Sequence, residues 1–334
     1  MARKITIRDV SKHAGVGLGT VSRFVSGRGY VKQETGEKIR ASIEELGFMP
    51  SFHAMAMRGT VGTSVSVIVP DISNALSSFV VKTLGDELRQ HDVKMFFASP
   101  SGRPEVEAEI VQNFISRAVD GMFLMPSDED NEATANLLQL QNFPKIILER
   151  DFMHGLPSVS HVLTDHASGI FEAVAYLNVT NHTSAALFCP EKGRPGRDRG
   201  RAFTDAMNSY NMQATVLVGS MDGDWVHDEI IRMSCANALP EALIVGHNRY
   251  LAPLITALRK RGHIIGRDVS LITHDRVDLG ELHFPPIATI ERDIALIGKL
   301  ACRCYLDMRD NGDEGRREVI PTTFRPTSSI VKRL

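Results

Sequence analysis

Several polar side chains of this chain stand at positions where a folded protein could use them to hold a small ligand. Each follows a short apolar run or begins a helical pattern, and they are Asn74, Arg150, Arg199, Asn248 and Asp275. Their amide, guanidinium and carboxylate groups form directional hydrogen bonds. Trp225 is the single tryptophan, and its indole could stack on the C–H face of a sugar ring. This chemistry is that of binding a polar ligand such as a sugar.

Motifs for catalysis are not found. The sequence has no His-Glu-x-x-His pair, no phosphate-binding glycine-rich loop and no nucleophile elbow, and its 12 histidines are scattered without metal-ligand spacing. Four cysteines are too few for a disulfide scaffold, and they are Cys189, Cys235, Cys302 and Cys304. We predict that all four are reduced packing residues. The protein is therefore predicted not to be an enzyme and to need no metal or other cofactor.

Length and composition indicate a globular protein with two or three domains. The chain has 334 residues, of which 43% are hydrophobic and 23% are charged. No window approaches the ~18 consecutive apolar residues that span a bilayer, and the basic N-terminus lacks the apolar region of a secretory signal. We expect a cytoplasmic protein without a membrane partner.

The net charge of −2 hides an asymmetry between a basic head and an acidic body. Residues 1–62 carry ten basic and five acidic side chains, and the remainder carries 28 basic and 35 acidic ones. A small basic module on a larger acidic domain is typical of a protein that binds a polyanion such as nucleic acid.

The first fifty residues have the pattern of three short helices. Apolar residues repeat at helical spacing, and Gly15 and Gly47 stand where a helix C-terminus favours a left-handed residue. A glycine-containing turn joins the first two helices, which predicts a helix-turn-helix over residues 1–50. Residues 51–62 are predicted to be a short amphipathic helix and linker, too short to persist as a helix alone in water.

From Ser64 onward, apolar runs of strand length alternate with amphipathic helical segments. The predicted strands are Val65–Val69, Val93–Ala98, Met122–Met125, Lys145–Leu148, Ala185–Phe188, Thr215–Val218, Ala242–Val245 and Val269–Thr273. This alternation predicts parallel sheets covered on both faces by helices. About 270 residues exceed one open sheet, so the fold class is α/β, with two doubly wound parallel-sheet subdomains and a cleft between them.

The head resembles the lactose/galactose repressor (LacI/GalR) family of bacterial transcription regulators. The motifs that carry the resemblance are Ile7-Arg8-Asp9-Val10-Ser11-Lys12-His13-Ala14-Gly15-Val16, Thr20-Val21-Ser22-Arg23, Gly29-Tyr30-Val31 and Ile43-Glu44-Glu45-Leu46-Gly47-Phe48 before Pro50. The body resembles the family more diffusely through Val69-Pro70-Asp71-Ile72-Ser73-Asn74, Gly223-Asp224-Trp225 and Asp268-Val269-Ser270. The resemblance implies a periplasmic-binding-protein-like core. We place its N-subdomain at 63–161 and 292–321 and its C-subdomain at 162–291 and 322–334.

The recognition helix is expected to begin near Gly17 and to lie in the major groove of DNA. Leu18 and Gly19 would face base edges, Thr20 and Ser22 suit phosphate contacts, and Arg23 can reach a guanine edge. The resemblance adds further DNA contacts, at Thr6, Tyr30, Ser51, His53 and Ala54. It also makes the segment Phe52–Arg58 a hinge helix whose Met57 would wedge into the minor groove.

The resemblance also assigns effector-binding roles in the core. Arg199 aligns with the family's effector-binding arginine, and the other implied contacts are Asp71, Asn74, Arg150, Asp165, Trp225, Asn248 and Asp275. Two departures concern the effector. The usual Asn-Asp pair reads His247-Asn248, and Ala75-Leu76-Ser77 replaces the Pro-Phe-Phe of many relatives, which removes aromatic stacking.

Together these features predict a sequence-specific DNA-binding repressor of a carbohydrate operon, controlled by a sugar-like effector in the core cleft. It would bind a pseudo-palindromic operator as a homodimer or tetramer. Control by a non-sugar metabolite or by a partner protein remains an alternative. A stand-alone sugar-binding protein is the other alternative, although it would have no use for the head.

Overall fold

The computed structural model describes residues 5–26, 29–48, 63–153 and 155–333. These residues form two compact units, a head and a core, which divide along the chain at Ser64, except that the short segment Asp92–Lys94 groups with the first unit. None of the described helices is both long enough and apolar enough to cross a membrane.

Three helices form the head: α1 (Ile7–Ala14), α2 (Leu18–Ser26) and α3 (Gln33–Leu46). Gly15 and Gly47 end α1 and α3 in the left-handed conformation, with φ of 63° and 61°, as the sequence predicts. The helices meet at a small apolar core, whose buried members are Val10, Val21, Ile39 and Phe48. A Cβ at Gly36 of α3 would lie 3.0 Å from the Phe24 ring, so this glycine lets α2 pack closely on α3.

The core contains one mixed sheet of eleven strands in the order β2-β1-β3-β4-β5-β11-β10-β9-β8-β6-β7. The strands are β1 (Ser64–Ile68), β2 (Lys94–Ala98), β3 (Gly121–Leu124), β4 (Lys145–Leu148), β5 (Val159–Asp165), β6 (Ser184–Pro190), β7 (Gln213–Gly219), β8 (Ala242–Val245), β9 (Ser270–His274), β10 (Ala288–Arg292) and β11 (Arg317–Arg325). Neighbours run parallel from β1 to β11 and from β10 to β7, and β10 and β11 are antiparallel.

Strand β11 joins two halves of this sheet. Its residues 317–321 pair with β5, and its residues 322–325 pair with β10. We call β1–β5 with the first part of β11 the N-lobe, and β6–β10 with the second part of β11 the C-lobe. Strand β5 stays in the N-lobe sheet up to Asp165. The sequence predicts the first crossing between subdomains slightly earlier, after residue 161.

Helices cover both faces of the sheet, as expected for a doubly wound fold. They are α4 (Ala75–Gln90), α5 (Pro104–Ser116), α6 (Glu132–Gln139), α7 (His166–Val179), α8 (Arg194–Ser209), α9 (Asp224–Cys235), α10 (Leu251–Lys260), α11 (Asp278–Leu282) and α12 (Ile294–Asn311). Two successive residues of β6 show that both faces of the sheet are buried. Leu187 packs in the cluster of α7 and α8, whereas Phe188 packs in the cluster of α9 and α10.

The predicted fold class is confirmed, and each of the eight predicted strands is present. Three further strands were not predicted, namely β5, β10 and β11, because their polar and charged residues interrupt the apolar runs. These three strands lie side by side where the lobes join. Cys189, Cys302 and Cys304 are buried, but Cys235 is exposed, so the prediction that every cysteine is a packing residue is wrong for Cys235.

Candidate functional site

The core contains a cavity of about 380 Å³ at the carboxyl ends of its parallel strands. Asp71, Arg150, Asn248 and Asp275 follow β1, β4, β8 and β9, and each lines the cavity. Because successive parallel strands end at the same edge of a sheet, these distant parts of the chain meet at one place. Both lobes therefore contribute to the lining.

Arg292, the last residue of β10, is the centre of a buried ion-pair network in the cavity wall. Its Nε and Nη2 donate to the two carboxylate oxygens of Asp275 at 2.8 and 2.6 Å. Its Nη1 donates to Glu149 Oε2 at 2.5 Å and to Thr164 Oγ1 at 3.2 Å. Burial would raise the pKa of Asp275, but Arg292 and His274 hold it well below its usual range. Asp275 is thus ionised and fully engaged within the protein.

Two other arginines of the lining, Arg150 and Arg199, are buried without an acidic partner within ion-pair distance. They are 8% and 4% exposed. Arg150 Nη1 donates to the carbonyls of Pro126 and Ser127 at 2.8 and 2.6 Å, and Arg199 Nη1 donates to the Gly246 carbonyl at 2.5 Å. Burial and the nearby Arg292 lower the pKa of Arg199 to about 10, so this guanidinium stays charged at neutral pH.

Polar contacts between residues of the cavity lining join one lobe to the other. Arg249 of the C-lobe forms an ion pair with Asp71 of the N-lobe, and it also donates to Ser73 Oγ at 2.7 Å. Asn248 Nδ2 donates to Asn74 Oδ1 at 3.3 Å. These contacts hold the two lobes together beside the cavity.

A second set of contacts between the lobes lies at the start of α8. The carboxylate of Glu129, in the loop after β3, accepts hydrogen bonds from the Arg194 amide at 2.6 Å and from the Arg197 side chain at 2.7 Å. Arg150 lies beside the same segment, because a Cβ at Gly193 would be 3.5 Å from its Nε.

Six of the eight predicted effector residues line the cavity: Asp71, Asn74, Arg150, Arg199, Asn248 and Asp275. Asp165 and Trp225 are not among the lining residues. The Asp165 carboxylate accepts from the Ala167 amide at 2.8 Å and caps α7. The Trp225 indole packs against Phe188 and Tyr250, and its Nε1 donates to the Ser220 carbonyl at 3.0 Å. The expected stacking platform is therefore absent from the cavity wall.

Several lining residues were missed from the sequence. Three of them, Glu149, His247 and Arg249, directly adjoin residues that were predicted. Their position in the sequence could therefore have identified them. Arg292 had no such signal, because the strand that carries it was not predicted. Burial, together with Arg199 and Arg249, lowers the pKa of His247 to about 3, so His247 faces the cavity as a neutral ring.

The head presents the predicted DNA-contacting residues on and near α2. Leu18, Gly19 and Arg23 are exposed, Thr20 and Ser22 are half-buried, and the Tyr30 side chain is 83% exposed. Helix α2 carries no acidic residue. The Arg23 side chain lies along the helix, with its Nε 3.3 Å from the Gly19 carbonyl. Polyanionic DNA would therefore meet no like charge on this helix.

Thr6 has a structural role in addition to its predicted DNA contact. Its amide and hydroxyl both donate to Asp9 Oδ2, at 2.9 and 2.6 Å, at the start of α1. The remaining predicted DNA contacts, Ser51, His53, Ala54 and Met57, lie outside the described residues, as does the expected hinge helix.

Comparisons with known proteins match both units. The sequence profile described as "Bacterial regulatory proteins, lacI family" matches residues 6–51, and the profile "Periplasmic binding protein-like domain" matches residues 174–332. The repressor PurR of Haemophilus influenzae (strain PittEE) is 23% identical, over 98% of each chain. The regulator DegA of Bacillus subtilis (strain 168) is 25% identical, over 88% of each chain. A lac repressor dimer, solved with operator and the anti-inducer ONPF, superposes with a TM-score of 0.82 at 20% identity, over 98% of this chain and 100% of that one.

Proposed function

The chain belongs to the LacI/GalR family of DNA-binding transcription regulators, and on that basis we propose that it represses a carbohydrate operon under the control of a small effector. The effector, a sugar or sugar derivative, would bind in the core cavity. The observation that carries the proposal is the pairing of a helix-turn-helix head, with an exposed and acid-free α2, with a polar cavity lined by both lobes. The experiment that tests it is measurement of operator affinity with and without the effector.

In the head, α2 would occupy the major groove and Arg23 would read a base edge. An arginine bidentate to guanine discriminates by about 1–3 kcal/mol, which is about 5- to 150-fold in affinity. Thr20 and Ser22 would bind phosphates and set the register of the helix. Met57, outside the described residues, is proposed to wedge into the minor groove between two half-sites.

We expect Arg23→Ala to weaken binding to a selected operator about 5- to 150-fold while changing binding to random DNA much less. Wild-type affinity should fall steeply with added salt, because phosphate contacts release counterions. Fluorescence anisotropy over a salt series, on an operator selected from genomic fragments, measures both effects. Arg259→Ala, at an exposed arginine of α10 in the core, is the matched control.

Three results would contradict this DNA-binding prediction. One is an equal loss on operator and random DNA in the Arg23→Ala variant. The others are affinity that does not change with salt and a footprint without two-fold symmetry.

In the core, we propose that the effector biases the relative position of the lobes. The contacts Asp71–Arg249 and Glu129–Arg197 both join the two lobes, so a ligand bound between the lobes would alter how they close. The moving units predicted from the sequence are 63–161 with 292–321 and 162–291 with 322–334. In the sheet, β5 stays with the first unit up to Asp165, and Arg292 belongs to β10 of the second. An effect of ligand on DNA affinity implies an equal effect of DNA on ligand affinity, typically about 1–3 kcal/mol.

A purine is the second effector candidate, because PurR is among the relatives. The described cavity lining contains no Phe, Tyr or Trp on which a flat base could stack. The lining instead offers guanidinium, amide and carboxylate groups beside small apolar surfaces such as Met125 and Met221. These features favour a hydroxylated, non-aromatic ligand.

We also propose that the regulator acts as a homodimer, since a two-fold operator requires a two-fold protein. Three exposed apolar side chains lie close together in sequence on the core, at Leu279, Leu282 and Phe284, with exposures of 43%, 84% and 93%. Burial of such side chains against a second copy would remove apolar area from water.

We expect Leu282→Asp to shift the protein from dimer to monomer and to weaken operator binding accordingly. Sedimentation velocity over a concentration series measures the first effect. Leu140→Asp is the matched control, because Leu140 is a similarly exposed leucine at the end of α6. A dimer equally stable in both variants would show that this surface is not the interface.

A further inference from the structure

The cavity lining carries more cationic than acidic side chains. Five cationic side chains line it, namely Arg150, Lys192, Arg199, Arg249 and Arg292, against three acidic ones, namely Asp71, Glu149 and Asp275. All three acids are already bound within the protein, Asp71 by Arg249 and the other two by Arg292. Among the described residues, Arg150, Lys192 and Arg199 are therefore left without an acidic partner within ion-pair distance, although four nearby carboxylates, those of Glu107, Asp128, Glu129 and Glu149, favour the charged form of Arg150.

Burial makes this imbalance costly for Arg150 and Arg199. Both are more than nine-tenths buried, and their hydrogen bonds go to neutral backbone carbonyls. Arg199 Nε is buried with no hydrogen-bond partner at all. A buried charge is normally paired, and an unpaired one is held at the expense of stability. Unpaired buried cations of this kind are expected where a bound ligand supplies the negative charge.

The two arginines approach the cavity from opposite lobes. Arg150 follows β4 of the N-lobe, and Arg199 lies on α8 of the C-lobe. The sixteen-residue helix α8 also begins beside the cavity, since Pro195 and Gly196 line it, but the Glu129 carboxylate already accepts a hydrogen bond from the first amide of this helix, that of Arg194. The partial positive charge of this helix N-terminus is thus already offset within the protein, and the excess positive charge at the cavity comes from the arginine side chains.

Other buried polar atoms of the lining also lack partners, and they indicate what else the ligand carries. They are Ser127 Oγ, His247 Nδ1 and Asn248 Oδ1. The Asn248 oxygen can only accept a hydrogen bond, whereas the Ser127 hydroxyl can donate or accept. A ligand that satisfies the Asn248 oxygen must offer a hydrogen-bond donor, such as a hydroxyl group, in addition to an acid group.

We propose that the effector is an anion, a hydroxylated metabolite whose carboxylate or phosphate lies between Arg150 and Arg199. This inference rests on the proposed function, because it names the ligand class of the same cavity. An acid group held from both sides would join the lobes and neutralise the excess charge. A sugar acid and a sugar phosphate both meet this description.

Calorimetry on the full chain tests the proposal with matched probes. The pairs are D-glucuronate with D-glucose, and D-ribose 5-phosphate with D-ribose; inorganic phosphate is compared with chloride at equal ionic strength. We expect at least one acid to bind at least about tenfold more tightly than its neutral counterpart. The first pair reports on a carboxylate and the second on a phosphate.

Variants then locate the anion. Arg150→Gln and Arg199→Gln are each expected to weaken binding of the best acid at least about tenfold, Arg150→Lys to restore part of it, and Arg259→Gln to change nothing. Thermal melts of the free variants verify that each is folded. The inference is overturned if in both pairs the neutral sugar binds as tightly as its acid. It is equally overturned if no acidic probe binds at millimolar concentration, or if folded Arg150→Gln and Arg199→Gln variants both bind the acid like wild type.

Operator affinity, measured with the same probes, separates this inference from the proposed function. An acid that binds at Arg150 and Arg199 without changing operator affinity would support the anion site and contradict effector control. A neutral sugar that binds and changes operator affinity would support effector control and contradict the anion site.

Discussion

Arg292→Met is expected to lower the free energy of unfolding of the core by about 3–5 kcal/mol. In the wild type, the Arg292 guanidinium binds two buried carboxylates, those of Glu149 and Asp275. The substitution leaves both carboxylates without a cationic partner. Without Arg292 both must lose their charge or remain unpaired in an apolar environment. Thermal and urea denaturation measure the effect, which corresponds to a fall in melting temperature on the order of 10 °C.

A combined variant tests whether unpaired charge is the cause. Adding Glu149→Gln and Asp275→Asn to Arg292→Met removes the stranded carboxylates and should recover a large part of the lost stability. Arg267→Met, which breaks an exposed ion pair with Asp268, should leave stability unchanged. If Arg292→Met alone is as stable as wild type, the network does not stabilise the core.

The second large effect is a loss of stability in mild acid. Three buried histidines near the cavity stay neutral in the folded protein. Burial and Arg199 lower the pKa of His247 and His274 to about 3, and the same causes lower that of His166 well below its usual value. In the unfolded chain each histidine takes up a proton below about pH 6.5. The free energy of unfolding should therefore decrease as pH falls through 6.5 and continue to decrease towards 3.

The magnitude follows from proton linkage. Each such histidine costs about 2 kcal/mol between pH 7 and pH 5, so three of them cost on the order of 5 kcal/mol. Urea denaturation at these two pH values measures the difference. His166→Leu removes one of the three histidines and should reduce this pH-dependent difference in stability by about one third. The substitution breaks no hydrogen bond, because neither ring nitrogen of His166 has a partner. Equal stability of the wild type at pH 7 and pH 5 would contradict the prediction.

The two predictions involve the same buried arginines, which act on the histidine pKa values in addition to burial, the largest cause. Arg199 and Arg292 both contribute to the lowered pKa of His166 and His274, and Arg292 contributes to the lowered pKa of Arg199. An anionic effector would offset part of the positive charge of these arginines. Bound effector should therefore stabilise the protein, and a neutral ligand would lack this contribution.

The head could be predicted almost completely because its structure depends on local signals. Gly15 and Gly47 end helices where a left-handed residue is needed, and apolar residues three and four apart select the buried face of each helix. The strands of the core were similarly predictable where both faces are buried, since a continuous apolar run needs no partner to be recognised.

The cavity could not be predicted in the same way, because it is formed by contacts between residues that are far apart along the chain. Glu149 and Arg292 are 143 residues apart, and Arg292 lies on a polar strand with no local pattern. Trp225 matched a motif at the cleft, yet its indole packs against Phe188 and Tyr250. Gly219 is what admits the indole there, because a Cβ at Gly219 would come within 2.4 Å of the ring. The residue types of the site can be read from the chain. Which acids are already paired, and which arginines remain free for a ligand, depends on packing that only the folded core brings about.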